Sequence, residues 1–374
     1  MKRRYWVFAT LAAAAAIAGV VVGAATKAGA STKSQKLTKV TLQLKWVTQA
    51  QFAGYYAAKA KGYYKAQGLD VRIKPGGPSI IPEQVVAGGQ AEFGIDWLSS
   101  LMTSRDQGVN LVNIAQVFGK SGLTLITWKD TGINTVAKMK GKKVANWLGG
   151  NEFEVFAALA KFGMDPLHNK GVTIVAEPFS MDFFLKRQAD AASAMTYNEL
   201  AQVLEAKNPK TGKLYQLKDL NVIPMQKVGT SMLEDGIFVR GDWIKNKANQ
   251  ATAVKFLTAS LKGWAYCRDH FRECVQIVVN AGTALPKGHQ TWQMNEVNAL
   301  IWPNKLGVGI MDPAQFKNTA NIALRFKVIK KKASTAAYRT DLAKKAVAAL
   351  KKQGVDVTGK SWKKSVVTLK AGGA

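Results

Sequence analysis

The chain has 374 residues, 47% apolar and 21% charged. That length suits two domains of roughly 100–200 residues, and the composition excludes both a disordered tail and a polytopic membrane protein. The formal charge is +29, from 53 Lys+Arg against 24 Asp+Glu, which points to an anionic partner or an anionic setting.

The chain opens on Lys2, Arg3 and Arg4, then an apolar stretch from Tyr5 to Ala25, then Ala28-Gly29-Ala30 before Ser31. This three-part order predicts an export signal over residues 1–30. An uncleaved anchor is the alternative, because about 20 apolar residues just span a bilayer. No cysteine stands near the cleavage site, so a lipid anchor is not expected. Removing the signal takes away four cations and no anion, which leaves about +25. Export argues against a nucleic-acid partner and sets the basic surface beside an anionic envelope, in a periplasmic or other extracytoplasmic space.

A polar linker (31–39) follows. Val40–Val47 reads as a strand, Phe52–Gln67 as a helix capped at Gly68, and Leu69–Lys74 as a strand stopped by Pro75-Gly76-Gly77-Pro78. Next come a short helix at Pro82–Ala87, a strand at Ala91–Ile95, a helix at Leu98–Gln107 and a strand at Leu111–Val117. A second cycle starts at Leu123–Trp128. It continues with a strand at Lys142–Trp147, a helix opened by Gly149-Gly150 and running through Phe162, and strands at Val172–Ala176, Ala191–Met195 and Asn221–Pro224. Helices are expected within it at Met181–Arg187 and Leu200–Ala206. After Met232–Arg240 the pattern is helical: Trp243–Tyr266, Val275–Ala281, Trp292–Trp302 and Ala314–Ala323. The lysine-rich end (331–374) holds a helix at Ala336–Gln353, and its last fifteen or so residues are expected to wander.

Strand and helix alternating in this way predict an α/β fold with mostly parallel sheets flanked by helices. Residues 40–125 and 232–330 would make one lobe and 126–231 the other, with crossings near Leu123–Lys129 and Met232–Val239. Cys267 and Cys274 are seven apart. On one straight helix they would sit about 10.5 Å apart along the axis, beyond disulfide reach. A break near Asp269-His270 would let them bond in an oxidising compartment; otherwise they are two buried thiols. Two cysteines exclude a disulfide-rich miniprotein and a four-thiolate zinc module, and His168, His270 and His289 leave little for a metal site.

Ligands of open α/β sheets bind beyond the carboxyl ends of the strands. The first strand ends at Trp46, Gln49 and Gln51, the third at Asp96-Trp97, and the fourth near Phe118. In the second lobe Trp147, Gly149, Gly150, Asn151 and Glu152 follow a strand, and Tyr197, Asn198 and Glu199 follow another. Trp46, Trp97, Trp147 and Tyr197 offer aromatic faces for a flat heterocycle, while amides and carboxylates read its edge. The glycine pair lets backbone N–H groups approach a ligand. It lacks the spacings of dinucleotide and P-loop motifs, and no hydrolase or zinc-protease motif occurs, so neither catalysis nor a cofactor or metal is expected.

The run WVTQAQFAGYYAAKAKGYYKAQGLDVRIKPGG, with QVVAGGQAEFGI, KMKGKKVANWLGGNEFE and ADAASAMTYNE, resembles the thiamine-pyrimidine-precursor, sulfonate and nitrate group of ABC-importer solute-binding proteins. The resemblance covers Val40 to Phe326 and implies a type II periplasmic-binding-protein fold, monomeric, closing on one small molecule and serving a membrane permease. Residues matched to the pyrimidine binders of that group are Trp46, Gln49, Gln51, Tyr197, Asn198 and Glu199. Riboflavin-binding members are similar too, and Trp97 and Trp147 suit a ligand larger than one ring. Pyrimidine synthases of the same fold use a histidine after the first strand and a cysteine-rich iron motif. Here Phe52 aligns with that histidine and the cysteines are remote, so a synthase is the alternative rather than the expectation. Sulfonate or nitrate binding is a further alternative, set back by scarce arginine: only Arg72 and Arg105 occur between the signal and Arg187.

Overall fold

In the computed structural model the alternating apolar runs form two five-stranded sheets covered by helices. The structure describes residues 36–374, so the expected export signal lies outside the described residues. Residues 37–374 cluster as one unit. The chain builds β1 (Thr38–Gln43), α1 (Ala53–Ala60), α2 (Tyr63–Ala66), β2 (Leu69–Lys74), α3 (Pro82–Ala87), β3 (Phe93–Trp97), α4 (Leu98–Asp106) and β4 (Leu111–Gln116). It then passes to the second sheet through β5 (Leu123–Trp128), β6 (Lys143–Asn146), α5 (Phe153–Lys161), β7 (Thr173–Ala176), α6 (Asp182–Leu185), β8 (Ala191–Met195), α7 (Glu199–Leu204), β9 (Leu220–Pro224) and α8 (Met225–Val228). It returns as β10 (Asp235–Arg240) and finishes with α9 (Lys247–Asp269), α10 (Phe271–Asn280), α11 (Lys287–Ile301), α12 (Pro313–Arg325) and α13 (Asp341–Lys352).

The two sheets share one plan. Their strand orders are β2-β1-β3-β10-β4 and β7-β6-β8-β5-β9. In each, three neighbours pair in parallel and the strand arriving from the other sheet is inserted antiparallel: β10 between β3 and β4, β5 between β8 and β9. The two crossings are tied together. Val117 and Phe118 donate backbone N–H to the Asp235 carbonyl at 3.2 and 3.1 Å. Glu234 Oε1 accepts the N–H groups of Gly122 and Leu123 at 2.7 and 3.2 Å.

Helices α1, α2, α9 and α13 lie together in a layer. Helices α1 and α9 touch where both carry glycine. A Cβ on Gly263 would stand 2.0 Å from the Gly54 carbonyl oxygen, and one on Gly54 would stand 2.3 Å from Trp264. Trp264 is fully buried, edge-on to Tyr55 and Phe118 at 5.6 and 6.1 Å. No helix among the described residues is long and apolar enough to cross a membrane.

Several expected elements differ in extent. The single helix over Phe52–Gln67 is two, because Gly62 adopts the left-handed conformation (φ 71°) between α1 and α2. The strand expected through Val47 stops at Gln43, whose amide turns to the Lys74 and Pro75 carbonyls. The helix expected from Gly149 starts at Phe153, because Gly149 and Gly150 have φ of 95° and 126°. The chain end does not wander. Asn295 and Ser365 exchange two hydrogen bonds, Lys364 pairs with Glu296, and Gly372 N–H donates to the Glu205 carbonyl at 3.0 Å. These contacts join positions far apart in the chain, most of them through backbone groups of the terminal segment, and leave no periodic trace in a sequence. Helix α9 ends before His270, α10 starts after it, and Cys267 and Cys274 are disulfide-bonded with Cα atoms 5.3 Å apart.

Replacing Gly263 with Ala should force α1 and α9 apart and cost about 1–3 kcal/mol. Urea unfolding checks this; an unchanged midpoint would contradict the close approach.

Candidate functional site

The loop after β1 carries Lys45 to Gln51 and is pinned at two points. Gly76 N–H donates to the Trp46 carbonyl at 2.8 Å. Ala50 N–H is held by the side-chain oxygens of Gln290 and Gln293 on α11, at 2.7 and 2.9 Å. Trp97 closes β3. From the second sheet, Trp147 and Asn151 follow β6, and Tyr197, Asn198 and Glu199 follow Met195 at the end of β8. Lys45, Trp46, Gln49, Gln51 and Trp97 on one side, and Trp147, Asn151, Met195, Tyr197, Asn198 and Glu199 on the other, line one cavity. Its atom-free space is about 350 Å³, part of it open to solvent. Trp46 stacks on Phe179, centroids 6.3 Å apart and planes 18° from parallel, and Ser100 Oγ–H bonds the Gly150 carbonyl, so the two sides touch at the cavity edge.

The charges around the cavity are paired or suppressed. Lys45 Nζ lies 3.2 Å from Asp96 Oδ2. Burial opposes the Lys45 charge, but attraction to Asp96 and Glu83 outweighs it and holds the amine above its ordinary range. Burial raises Asp96 as well, and pushes the fully buried Glu83 well up with help from Asp96. Glu199 is pushed to about 7 by burial. It accepts from Met195 N–H at 3.0 Å and from the Asn198 amide at 2.5 Å. Asn198 is held in turn by His289 Nε2 at 2.9 Å, and the other ring nitrogen of His289 faces Glu205 at 3.0 Å. Gln49 donates to Gln51 at 2.8 Å, and Gln51 donates to Asp235 at 2.9 Å. Four buried polar atoms of lining residues have no partner among the described residues: the indole N–H groups of Trp46 and Trp147, Asn151 Nδ2 and Gln49 Oε1. Buried polar atoms are ordinarily satisfied.

The structure thus brings together Trp46, Gln49, Gln51, Trp97, Trp147, Asn151, Tyr197, Asn198 and Glu199. It leaves out four expected residues. Phe118 is fully buried behind Tyr197, edge-on at 6.3 Å. Gly150 does not line the cavity, and its N–H is already taken by Glu152 Oε2 at 2.7 Å. Glu152 therefore faces its own turn, and Gly149 has open space around it. Sequence reasoning passed over Lys45, Met195, Phe179 and Asp235. The iron of the resembling synthases finds no fitting ligand set here. Phe52 is buried, the cysteines are bonded to each other, and no group of three or more His, Cys, Asp or Glu among the described residues could hold a metal ion.

Two lobes with a lined cavity between them are the architecture of the periplasmic binding proteins. The periplasmic nitrate-binding protein NrtA of Synechocystis superposes with a TM-score of 0.63 at 16% identity, over 87% of this chain and 92% of that one. The family model described as NMT1/THI5 like matches residues 49–273, and the chain belongs to that family. Among curated relatives, a putative thiamine biosynthesis protein of Haemophilus influenzae is 24% identical over 246 residues, 65% of this chain and 73% of that one. The 4-amino-5-hydroxymethyl-2-methylpyrimidine phosphate synthase of Schizosaccharomyces pombe is 23% identical over 129 residues. That match spans 34% of this chain and 37% of the synthase.

Stability should fall with rising pH. Burial is the main cause that lifts Glu154 to about 8 and Glu199 and Asp235 to about 7. In the unfolded chain such groups ionise near 4. Folded protein therefore holds more protons across the interval, and the stabilisation is complete below about pH 4 and is lost as pH rises through 7–8. Urea midpoints measured from pH 5 to 8 should decline, and Glu154→Gln should flatten the decline; midpoints that climb over this range would contradict it.

Proposed function

We propose that this chain is an extracytoplasmic solute receptor of an ABC importer. It closes its two lobes on a flat nitrogen heterocycle, a pyrimidine precursor of thiamine, and presents it to a membrane permease. The observation that carries this reading is the convergence of Trp46, Trp97, Trp147 and Tyr197, from both sheets, on one cavity with unpartnered polar atoms. Stacking is tolerant of ring identity, so the edge atoms choose the ligand. Gln49 Oε1 suits an exocyclic amino group, and the free N–H groups of Asn151 and the indoles suit ring nitrogens or a hydroxyl. A small anion such as nitrate is disfavoured, because Lys45 is already paired with Asp96 and no arginine among the described residues lines the cavity. The synthase names of some relatives motivate an enzyme as the second reading, but the missing iron ligands speak for a receptor.

Closure is a hinge motion at the two tied crossings, driven by contacts that the ligand makes only when both walls meet. Stacking with a few buried hydrogen bonds gives micromolar affinity, roughly −8 kcal/mol. Titration with 4-amino-5-hydroxymethyl-2-methylpyrimidine should change intrinsic tryptophan fluorescence. Trp46→Ala and Tyr197→Ala should each weaken binding at least about tenfold while the thermal midpoint shows the protein still folded. Unchanged affinity in both variants would remove the site assignment.

A further inference from the structure

We propose that Asp235, which does not line the cavity, fixes the hydrogen-bonding group that Gln49 shows to the ligand, acting through Gln51 as a positioning residue. This rests on the receptor reading and specifies how the same site chooses an edge. A carboxylate only accepts hydrogen bonds. Gln51 must therefore turn its Nε2 to Asp235, at 2.9 Å, and its Oε1 away. That oxygen also only accepts, so Gln49 must turn its own Nε2 to it, at 2.8 Å. What remains free on Gln49, a residue of the cavity wall, is Oε1, buried and without a partner among the described residues. Gln49, Gln51 and Asp235 are 1%, 4% and 2% exposed, so solvent does not substitute for a link. Two amides in series thus carry the polarity of one carboxylate to the ligand.

The relay has a release. A neutral Asp235 can donate as well as accept, and both amides can then reverse and bring Gln49 Nε2 to the cavity. Burial, opposed by the Gln51 hydrogen bond, lifts Asp235 to about 7. The ionisable groups facing it are Asp96 on β3, Lys45 from the β1 loop, Glu234 beside it, Tyr55 on α1 and Tyr197 after β8. Above neutrality the ionised carboxylate locks the relay and the site demands a donor edge, such as an amino group. Below neutrality the lock loosens, and an oxo group in the same place becomes acceptable.

The test uses the full chain and two readouts. The first is the side-chain carboxamide signal of Gln49 in ligand-free protein, followed by NMR across neutral pH. It should titrate near pH 7 and become pH-independent in Asp235→Asn. The second is the calorimetric affinity ratio of 4-amino-5-hydroxymethyl-2-methylpyrimidine to its 4-oxo analogue. In the wild type the amino compound should be preferred at least about tenfold at about pH 8 and several-fold less at about pH 6. In Asp235→Asn the preference should be small at both and well below the wild type's at about pH 8, and comparing the two proteins at one pH cancels protonation of the ligand and of Glu199, which lines the same cavity. Gln51→Leu, which cuts the relay and keeps Asp235, should behave alike and serves if the first variant does not fold. A Gln49 signal that does not titrate, or a wild-type preference indifferent to pH and to both variants, overturns the relay. A titrating Gln49 signal in a protein that binds neither pyrimidine leaves the relay standing and defeats the ligand reading instead.

Discussion

Each sheet of this protein receives one antiparallel strand from a segment that has just left the other sheet, and everything else follows from that exchange. β10 between β3 and β4, and β5 between β8 and β9, bind the two halves through backbone ladders rather than a flexible linker. The carboxyl ends of β1, β3, β6 and β8 then meet across one space. The short crossings are held by Glu234 and the Asp235 carbonyl. The proposed closure on a small molecule would turn at these crossings and leave both cores intact.

The cavity wall is built to be nearly complete without a ligand. Lys45 is paired with Asp96, Glu199 with the Met195 backbone and Asn198, Asn198 with His289, and Gln51 with Asp235. Each internal partner fixes a rotamer before a ligand arrives, so less ordering remains to be done on binding. In the proposed receptor the few polar atoms left over would define what the ligand must offer, and selectivity would come from the residues behind the wall as much as from the aromatic faces.

The sequence carried the fold and the aromatic part of the cavity wall because both follow local rules. Apolar runs of strand length alternate with helical ones, and Trp46, Trp97, Trp147 and Tyr197 stand just where such runs end. What was hidden is non-local. Gln51 and Asp235 are 184 positions apart, and nothing near either residue announces the other. Lys45 is one of 53 cations and is distinguished only by Asp96 folding beside it. Phe118 misled for a related reason. A strand end marks where a site is, but not which way a side chain turns, and here the backbone of residues 117 and 118 stays bonded to Asp235 while the ring faces Trp264. Glu152 folds back on Gly150 because two left-handed glycines shape a turn that its carboxylate closes.

The most direct measurement is a crystal structure of the protein grown with the thiamine pyrimidine. The account predicts the ring enclosed between the halves, in contact with indoles of both sheets and with its amino group on Gln49. A ring resting on one sheet alone, or bound anywhere outside this cavity, would contradict it.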